Sequence, residues 1–143
     1  VLTGGEPLMQ DHNEMVDLIT NLEKYNVVIE TNGSISPIKF LLPHVNIVMD
    51  FKTPSSGNSK YMKLENFKHL RKDDIIKFPV ENEEDLEYAF YQAATLSKTT
   101  ECIKAISPIF GGDNEVPISD FAMKAAKEGL YVSVQLHKLI NVY

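Results

Sequence analysis

Polar and small residues recur in this chain wherever a short apolar run stops. Thr3-Gly4-Gly5-Glu6-Pro7 follows Val1-Leu2, Glu30-Thr31-Asn32-Gly33 follows Val27-Val28-Ile29, and Asp50-Phe51-Lys52 follows Val45 to Met49. Lys77-Phe78 ends the run from Ile75, and Ser107-Pro108 ends the run from Ile103. Gln135 and His137-Lys138 come at the close of the run from Tyr131. Gly4 and Gly5 have no Cβ, so a small ligand can come close to the main chain there. Pro7 removes an N–H donor and fixes φ, which ends an extended segment. Each cluster also has an ordinary reading. Gly-Gly-Glu-Pro serves as a tight turn, Asn32-Gly33 as a solvated one, and Asp50 with Lys52 as a surface ion pair worth little. Lys77 can snorkel from an apolar run, and His137 can be a capped or core histidine. Ligands of α/β folds bind at the carboxyl ends of parallel strands. Joint placement at successive strand ends therefore points to a ligand-binding α/β domain, and by itself to no reaction.

The elements that must position these clusters alternate along the chain. Val1 to Thr3 reads as the tail of a buried strand. Asp11 or Asn13 caps a helix whose face is Met15, Leu18, Ile19 and Leu22. Strands are predicted over Val27–Ile29, Val45–Met49, Ile75–Phe78, Ile103–Ile106 and Tyr131–Leu136. Short helices are predicted over Ile35–Leu42 and Asn66–Lys72, with a polar loop over Ser55–Ser59. A long helix spans Glu81–Lys98, with Leu86, Ala89, Phe90 and Ala93 on one face and acidic residues in its first turns. After a loop from Phe110 to Val116, Pro117 opens a last helix with Ile118, Phe121, Ala122 and Ala125 inward and Gly129 as its stop. Short apolar runs alternating with helices predict an α/β fold with a mostly parallel sheet. An open doubly wound sheet and a partial barrel both satisfy that pattern. No internal repeat or domain boundary is visible, so residues 1–143 read as one domain.

Composition narrows the partners. The chain has 143 residues, 43% hydrophobic and 24% charged, enough for one domain with a core. A formal net charge of −6 argues against bulk attraction to nucleic acid or an anionic membrane. No apolar run approaches the ~20 residues of a membrane-spanning helix. Cys102 is the only cysteine, which excludes an internal disulfide and a thiolate cluster built from this chain alone. It reads as a small buried apolar residue at a strand start. The four histidines show no metal-ligand spacing, and no zinc site is predicted.

The order of motifs resembles the radical S-adenosylmethionine enzymes and, within them, the 7-carboxy-7-deazaguanine synthase family. The resemblance is carried by Thr3-Gly4-Gly5-Glu6-Pro7, Glu30-Thr31-Asn32-Gly33, Asp50-Phe51-Lys52-Thr53-Pro54-Ser55-Ser56-Gly57, Ile76-Lys77-Phe78 and Val134-Gln135-Leu136-His137-Lys138. It implies a truncated partial (β/α) barrel of the radical SAM type. It also implies a cytoplasmic carbon–nitrogen lyase that converts 6-carboxy-5,6,7,8-tetrahydropterin to 7-carboxy-7-deazaguanine in queuosine and deazapurine biosynthesis. The implied cofactors are S-adenosylmethionine, a [4Fe-4S] cluster held by three cysteines, and Mg2+, with flavodoxin or ferredoxin as reductant. On the same resemblance Gly4, Gly5, Glu6, Glu30, Asn32, Asp50, Phe51, Lys52, Ser107, Pro108, Ile109 and Phe110 face S-adenosylmethionine. Thr3, Gln135, His137 and Lys138 face the pterin, and no residue of this chain is assigned as a catalytic acid or base or as a metal ligand.

The departure from the family is the cysteine loop, which Cys102 alone cannot replace. The chain is therefore expected to be a C-terminal portion of such an enzyme, inactive by itself and without a cluster of its own. An uncovered first strand predicts a homo-oligomer formed through that edge or by exchange of elements. Two other functions fit parts of the pattern. One is an activase of the same superfamily that installs a glycyl radical on a partner. The other is a non-catalytic module that binds a nucleoside or a protein.

Overall fold

A computed structural model describes residues 1–109 and 117–135. Among the described residues nine helices and strands follow in order: α1 (His12–Asn21), β1 (Val27–Thr31), β2 (Val45–Asp50), α2 (Leu64–Phe67), β3 (Ile75–Val80), α3 (Glu83–Leu96), β4 (Ile103–Pro108), α4 (Ile118–Lys127) and β5 (Tyr131–Val132). Single 3-10 turns occupy Pro7–Met9, Ile38–Phe40, Pro54–Ser56 and Ser59–Tyr61. The five strands form one all-parallel sheet in the order β1-β2-β3-β4-β5. Leu2 adds a parallel bridge to Ile29 on the free side of β1.

This order decides between the two architectures that the pattern left open. A doubly wound sheet reverses its strand order midway, and its helices then fall on both faces. Here each strand is followed by its sequence neighbour, and right-handed crossovers place the connections on one side. Burial agrees. Val27, Ile29, Val45, Ile47, Met49, Ile76, Phe78, Val80 and Ile106 point into one core with Leu8, Met15, Ile19, Phe40, Phe67, Leu86, Ala89, Ala93, Phe121 and Ala125. The alternate residues, among them Glu30, Val48, Asp50, Ile75 and Lys77, are half-buried on the opposite face. Among the described residues no helix covers that face. The sheet is open, and its architecture is that of a partial (β/α) barrel seen from its inner wall.

Several local expectations shift for identifiable reasons. Leu2 makes only an isolated bridge, and Val1 is exposed, so the first segment is not a buried strand. Leu18 is exposed while Met15 and Ile19 are buried, because the face of α1 that meets the core is narrower than its apolar stripe. The segments 35–42 and 66–72 yield one 3-10 turn and the four-residue α2. Pro37 and Pro43 punctuate the first, and Leu70 leaves the helix to pack in the core. The polar stretch Ser55–Ser59 tightens into two 3-10 turns.

β3 runs through Pro79 to Val80, beyond the expected stop. The Pro79 carbonyl accepts from the Thr53 hydroxyl at 2.7 Å, on the side where β2 has already ended at Asp50. The donor missing from Pro79 faces the same side, so no ladder bond is lost. β5 keeps two residues of the run expected over 131–136, and Leu136 lies outside the described residues. α3 and α4 form as expected, with Asn82 capping α3 through a bond from the Asp85 N–H at 3.0 Å.

Candidate functional site at the carboxyl ends of the strands

Glu6 fastens the glycine turn to the sheet. Its carboxylate accepts from the Thr31 hydroxyl at 2.6 Å and from the main-chain N–H groups of Asn32 at 2.7 Å and Leu8 at 3.1 Å. The side chain is buried, caps the turn Pro7–Met9 and joins it to the end of β1. Gly4 and Gly5 sit at φ of 95° and 59°, and no atom lies within 4 Å of where a Cβ would stand. The turn therefore shows bare, left-handed backbone to open space, with Thr3 exposed beside it.

Three neighbouring strands then bring one charge each to the helix-free face. Lys77 Nζ on β3 lies 3.2 Å from Asp50 Oδ1 on β2 and 3.9 Å from Glu30 Oε2 on β1. Lys52 Nζ lies 3.3 Å from Asp50 Oδ2. Register causes this meeting, since Asp50 stands opposite Lys77 and Glu30 opposite Val48, two residues before Asp50. Strand parity causes the rest. Asp50 and Lys52 face the site, and Phe51 between them faces the core, where it packs on Phe67, Phe78 and Tyr88 at ring separations of 5.0, 5.2 and 6.3 Å. The side chain of Phe51 thus anchors its two charged neighbours, and its N–H bonds the Lys77 carbonyl at 2.8 Å.

Two cavities flank this charged row. One of about 430 Å³ lies on the helix-free face, with Glu30 and Lys77 at its edge and Val48, Ile75, Ile103 and Ala105 as an apolar floor. The other, about 290 Å³, lies on the rim between Asn32, Ser34, Lys52, Asn58, Tyr61 and Met62. Asn32 is held in place by its own bonds, its N–H to Glu6 and its Oδ1 accepting from Ser34 N–H at 2.9 Å. The connection after β2 is clamped from below. Buried Asp85 accepts from Ser55 N–H at 3.0 Å, from the Ser55 hydroxyl, and from Glu81 N–H at 3.1 Å.

Of the residues named from the sequence, Thr3, Gly4, Gly5, Glu6, Glu30, Asn32, Asp50 and Lys52 gather at the ends of β1 and β2 and the turn beside them. Ser107 and Pro108 are buried at the end of β4, Ile109 is exposed just beyond, and Gln135 is exposed after β5. Phe110, His137 and Lys138 lie outside the described residues. Sequence reasoning left Tyr61, Met62, Asn58 and Ser34 out of the site. Asn58 sits in the stretch read as a polar loop, Ser34, Tyr61 and Met62 in stretches given no element, and only the exposed aromatic of Tyr61 marks them. Lys77 was recognised as a strand end, but its two partners come from cross-strand register, which local sequence does not carry.

The cofactors that the resemblance implies can be set against these residues. The row of opposite charges beside bare backbone matches the ammonium, carboxylate and sulfonium groups of S-adenosylmethionine. An iron–sulfur cluster does not fit. The one cysteine, Cys102, is buried just before β4 at the opposite end of the sheet, and burial pushes its thiol pKa up, away from a ligating thiolate. Among the described residues no three His, Cys, Asp or Glu side chains converge as a metal site. No helix there is long and apolar enough to cross a membrane.

No protein-family model matches the chain, and no solved structure matches it. Curated proteins do. A 7-carboxy-7-deazaguanine synthase of Clostridium acetobutylicum is 40% identical over 97% of this chain and 64% of its own length. Those of Methanospirillum hungatei and Thermoplasma acidophilum are 36% and 34% identical, over 99% and 96% of this chain and 58% and 65% of theirs. The chain thus spans less than two thirds of these relatives, and over almost all of its own length it is a homologue of the 7-carboxy-7-deazaguanine synthase family.

Proposed function

We propose that this chain supplies the S-adenosylmethionine-binding wall of a 7-carboxy-7-deazaguanine synthase. The observation that carries the reading is that Glu6 ties the bare Gly4-Gly5 turn to the end of β1, the strand end that carries Glu30, next to the end of β2 that carries Asp50 and Lys52. When bound and reduced at an iron–sulfur cluster, S-adenosylmethionine supplies the radical that starts the ring contraction of 6-carboxy-5,6,7,8-tetrahydropterin. The residues present here bind and orient. Carbonyls of the glycine turn and the carboxylates of Glu30 and Asp50 receive an ammonium group. Lys52 receives a carboxylate, and Ser107 to Ile109 form the wall for the adenosine. Thr3 and Gln135 face the pterin. None of them moves a proton in the hardest step, so their contribution is placement.

The cluster must be held by residues other than this chain's single cysteine, and no step is assigned to Mg2+. The chain alone is therefore expected to be inactive. Anaerobic assays with the carboxypterin, S-adenosylmethionine and a reductant test this. They compare the chain alone with the chain joined to the part of the Clostridium acetobutylicum relative that it does not match. Mass spectrometry should find 7-carboxy-7-deazaguanine only from the joined protein. Product from the isolated chain, or S-adenosylmethionine binding unchanged in the joined protein by Asp50→Asn with Lys52→Met, would overturn the reading.

A further inference from the structure

The glycine turn stands on the sheet by two feet. At one, Leu2 N–H donates to the Val28 carbonyl at 2.7 Å, and the Leu2 carbonyl accepts from Glu30 N–H at 3.0 Å. At the other, the Glu6 carboxylate reaches the end of β1. Between the feet, no main-chain hydrogen bond joins Thr3, Gly4 or Gly5 to another described residue. Two glycines in left-handed backbone, with no neighbour crowding them, hold no shape by themselves. Where their carbonyls stand is therefore set by the feet. The Leu2 foot is main chain alone. The Glu6 foot has three donors, and one of these, Leu8 N–H, belongs to the turn's own continuation. Among the described residues only the Thr31 hydroxyl, at 2.6 Å, and Asn32 N–H, at 2.7 Å, join the Glu6 carboxylate to the end of β1.

Thr31 does not face the ligand. Strand parity puts its side chain on the core face with Val27 and Ile29, only 4% exposed, while Glu30 stands on the helix-free face. A valine has the same shape and suits such a position, whereas a hydroxyl there is costly unless it is bonded. This hydroxyl accepts from Gly33 N–H at 3.3 Å, and its single proton goes to Glu6 Oε1. We infer that Thr31 is a positioning residue that acts through Glu6 to fix the Gly4-Gly5 backbone against the end of β1. The hold itself follows from these bonds, whereas its benefit to S-adenosylmethionine rests on the proposed function.

The test is amide hydrogen exchange in the chain itself, comparing wild type, Thr31→Val and Thr31→Ser. The Leu8 and Asn32 amides both donate to Glu6. In Thr31→Val they should exchange about tenfold faster relative to the core amide of Ile47. Thr31→Ser keeps the hydroxyl and should return both to the wild-type ratio. A hydroxyl that serves stability alone would move all three amides together, so unchanged ratios in Thr31→Val overturn the hold. Ratios raised equally in Thr31→Ser overturn it too, because the lost methyl then accounts for the change. Should Thr31→Val fail to fold, Thr31→Ala carries the same comparison. If neither folds, the wild-type chain decides. The Thr31 hydroxyl proton should give its own resonance in slow exchange with water, and its absence overturns the hold. S-adenosylmethionine affinity in the joined protein, measured by anaerobic calorimetry, is the second readout. It should weaken about tenfold in Thr31→Val and recover in Thr31→Ser. Faster exchange with unchanged affinity would overturn the assignment of the turn to S-adenosylmethionine and leave the hold of Thr31 standing. Unchanged exchange would sink the hold and leave the proposed function in place.

Discussion

Asp74, just before β3, has no exposed surface, and both of its oxygens are occupied. They accept from Ile47 N–H at 2.8 Å, from Arg71 N–H at 2.7 Å, and from the Arg71 guanidinium at 3.0 and 3.1 Å. That guanidinium also bonds the carbonyls of Leu42 and Val45. Asp74→Ala leaves a buried N–H and an arginine unpaired, and should cost about 3 kcal/mol in a urea unfolding curve. Gly33 is constrained differently. Its φ is 74°, and a Cβ there would stand 3.1 Å from Met49 and Phe67 side-chain atoms. Gly33→Ala should lose about 1–3 kcal/mol in the same measurement. Cys102 gives a pH effect with a definite sign. Burial raises its pKa above the ordinary 9.0, so the folded state keeps the proton longer than the unfolded one. Stability should fall as pH rises past about 9, and Cys102→Ala should flatten that fall in urea midpoints measured from pH 8 to 10.5. At this scale the sequence told which residues share a strand face, as with Asp50 and Lys52. It did not tell which strands meet, so the partners of Lys77 and Glu6 were hidden, and Phe51 was named for the ligand although its ring belongs to the core.

Among the elements, the connection after β2 shows how a loop becomes fixed. Thr53 is tied to Pro79, the Ser56 hydroxyl to the Thr53 carbonyl at 2.6 Å, and Ser55 to Asp85 on α3. Asp85→Ala removes the acceptor for three donors. Hydrogen exchange at the Ser55 and Glu81 amides should accelerate at least tenfold, while core amides such as Ile47 slow or quicken only with global stability. The helices were legible where caps, periodicity and stop residues agreed, as in α3 and α4. The stretch from 35 to 42 was not. Its apolar residues suit a helix, but prolines at 37 and 43 leave room only for a turn around buried Phe40. The two 3-10 turns near Tyr61 escaped for the opposite reason. A polar composition marks exposure without marking shape.

At the scale of the molecule, one covered face and one open face follow from the sequential strand order. The cavity of about 470 Å³ between Val1, Leu2, Leu22 and Tyr25 presents apolar surface beside Leu2, the outermost pairing of the sheet among the described residues. Such an edge pairs readily with another. Light scattering on the chain should show a mass that rises with concentration, and a lysine at Leu2 should return it to a monomer. A parallel sheet was legible from alternating apolar runs and helices. Its one-sided covering was not, because runs such as Val27-Val28-Ile29 look the same whether one face or both are packed.

The same strand order has a kinetic meaning. Every described strand pairs with the next strand in the chain, so each closure spans a single connection, a 3-10 turn between β1 and β2 and a helix elsewhere, and none must wait for distant segments to meet. The entropy of loop closure grows only slowly with length, and these closures are all of similar span. Folding should therefore advance as a zipper, unit by unit, from whichever strand pair forms first. The long β3–β4 ladder with α3 packed on it is the natural starting point. Its amides should be the earliest protected in pulse-labelled refolding, and those of Leu2 and β5 the last.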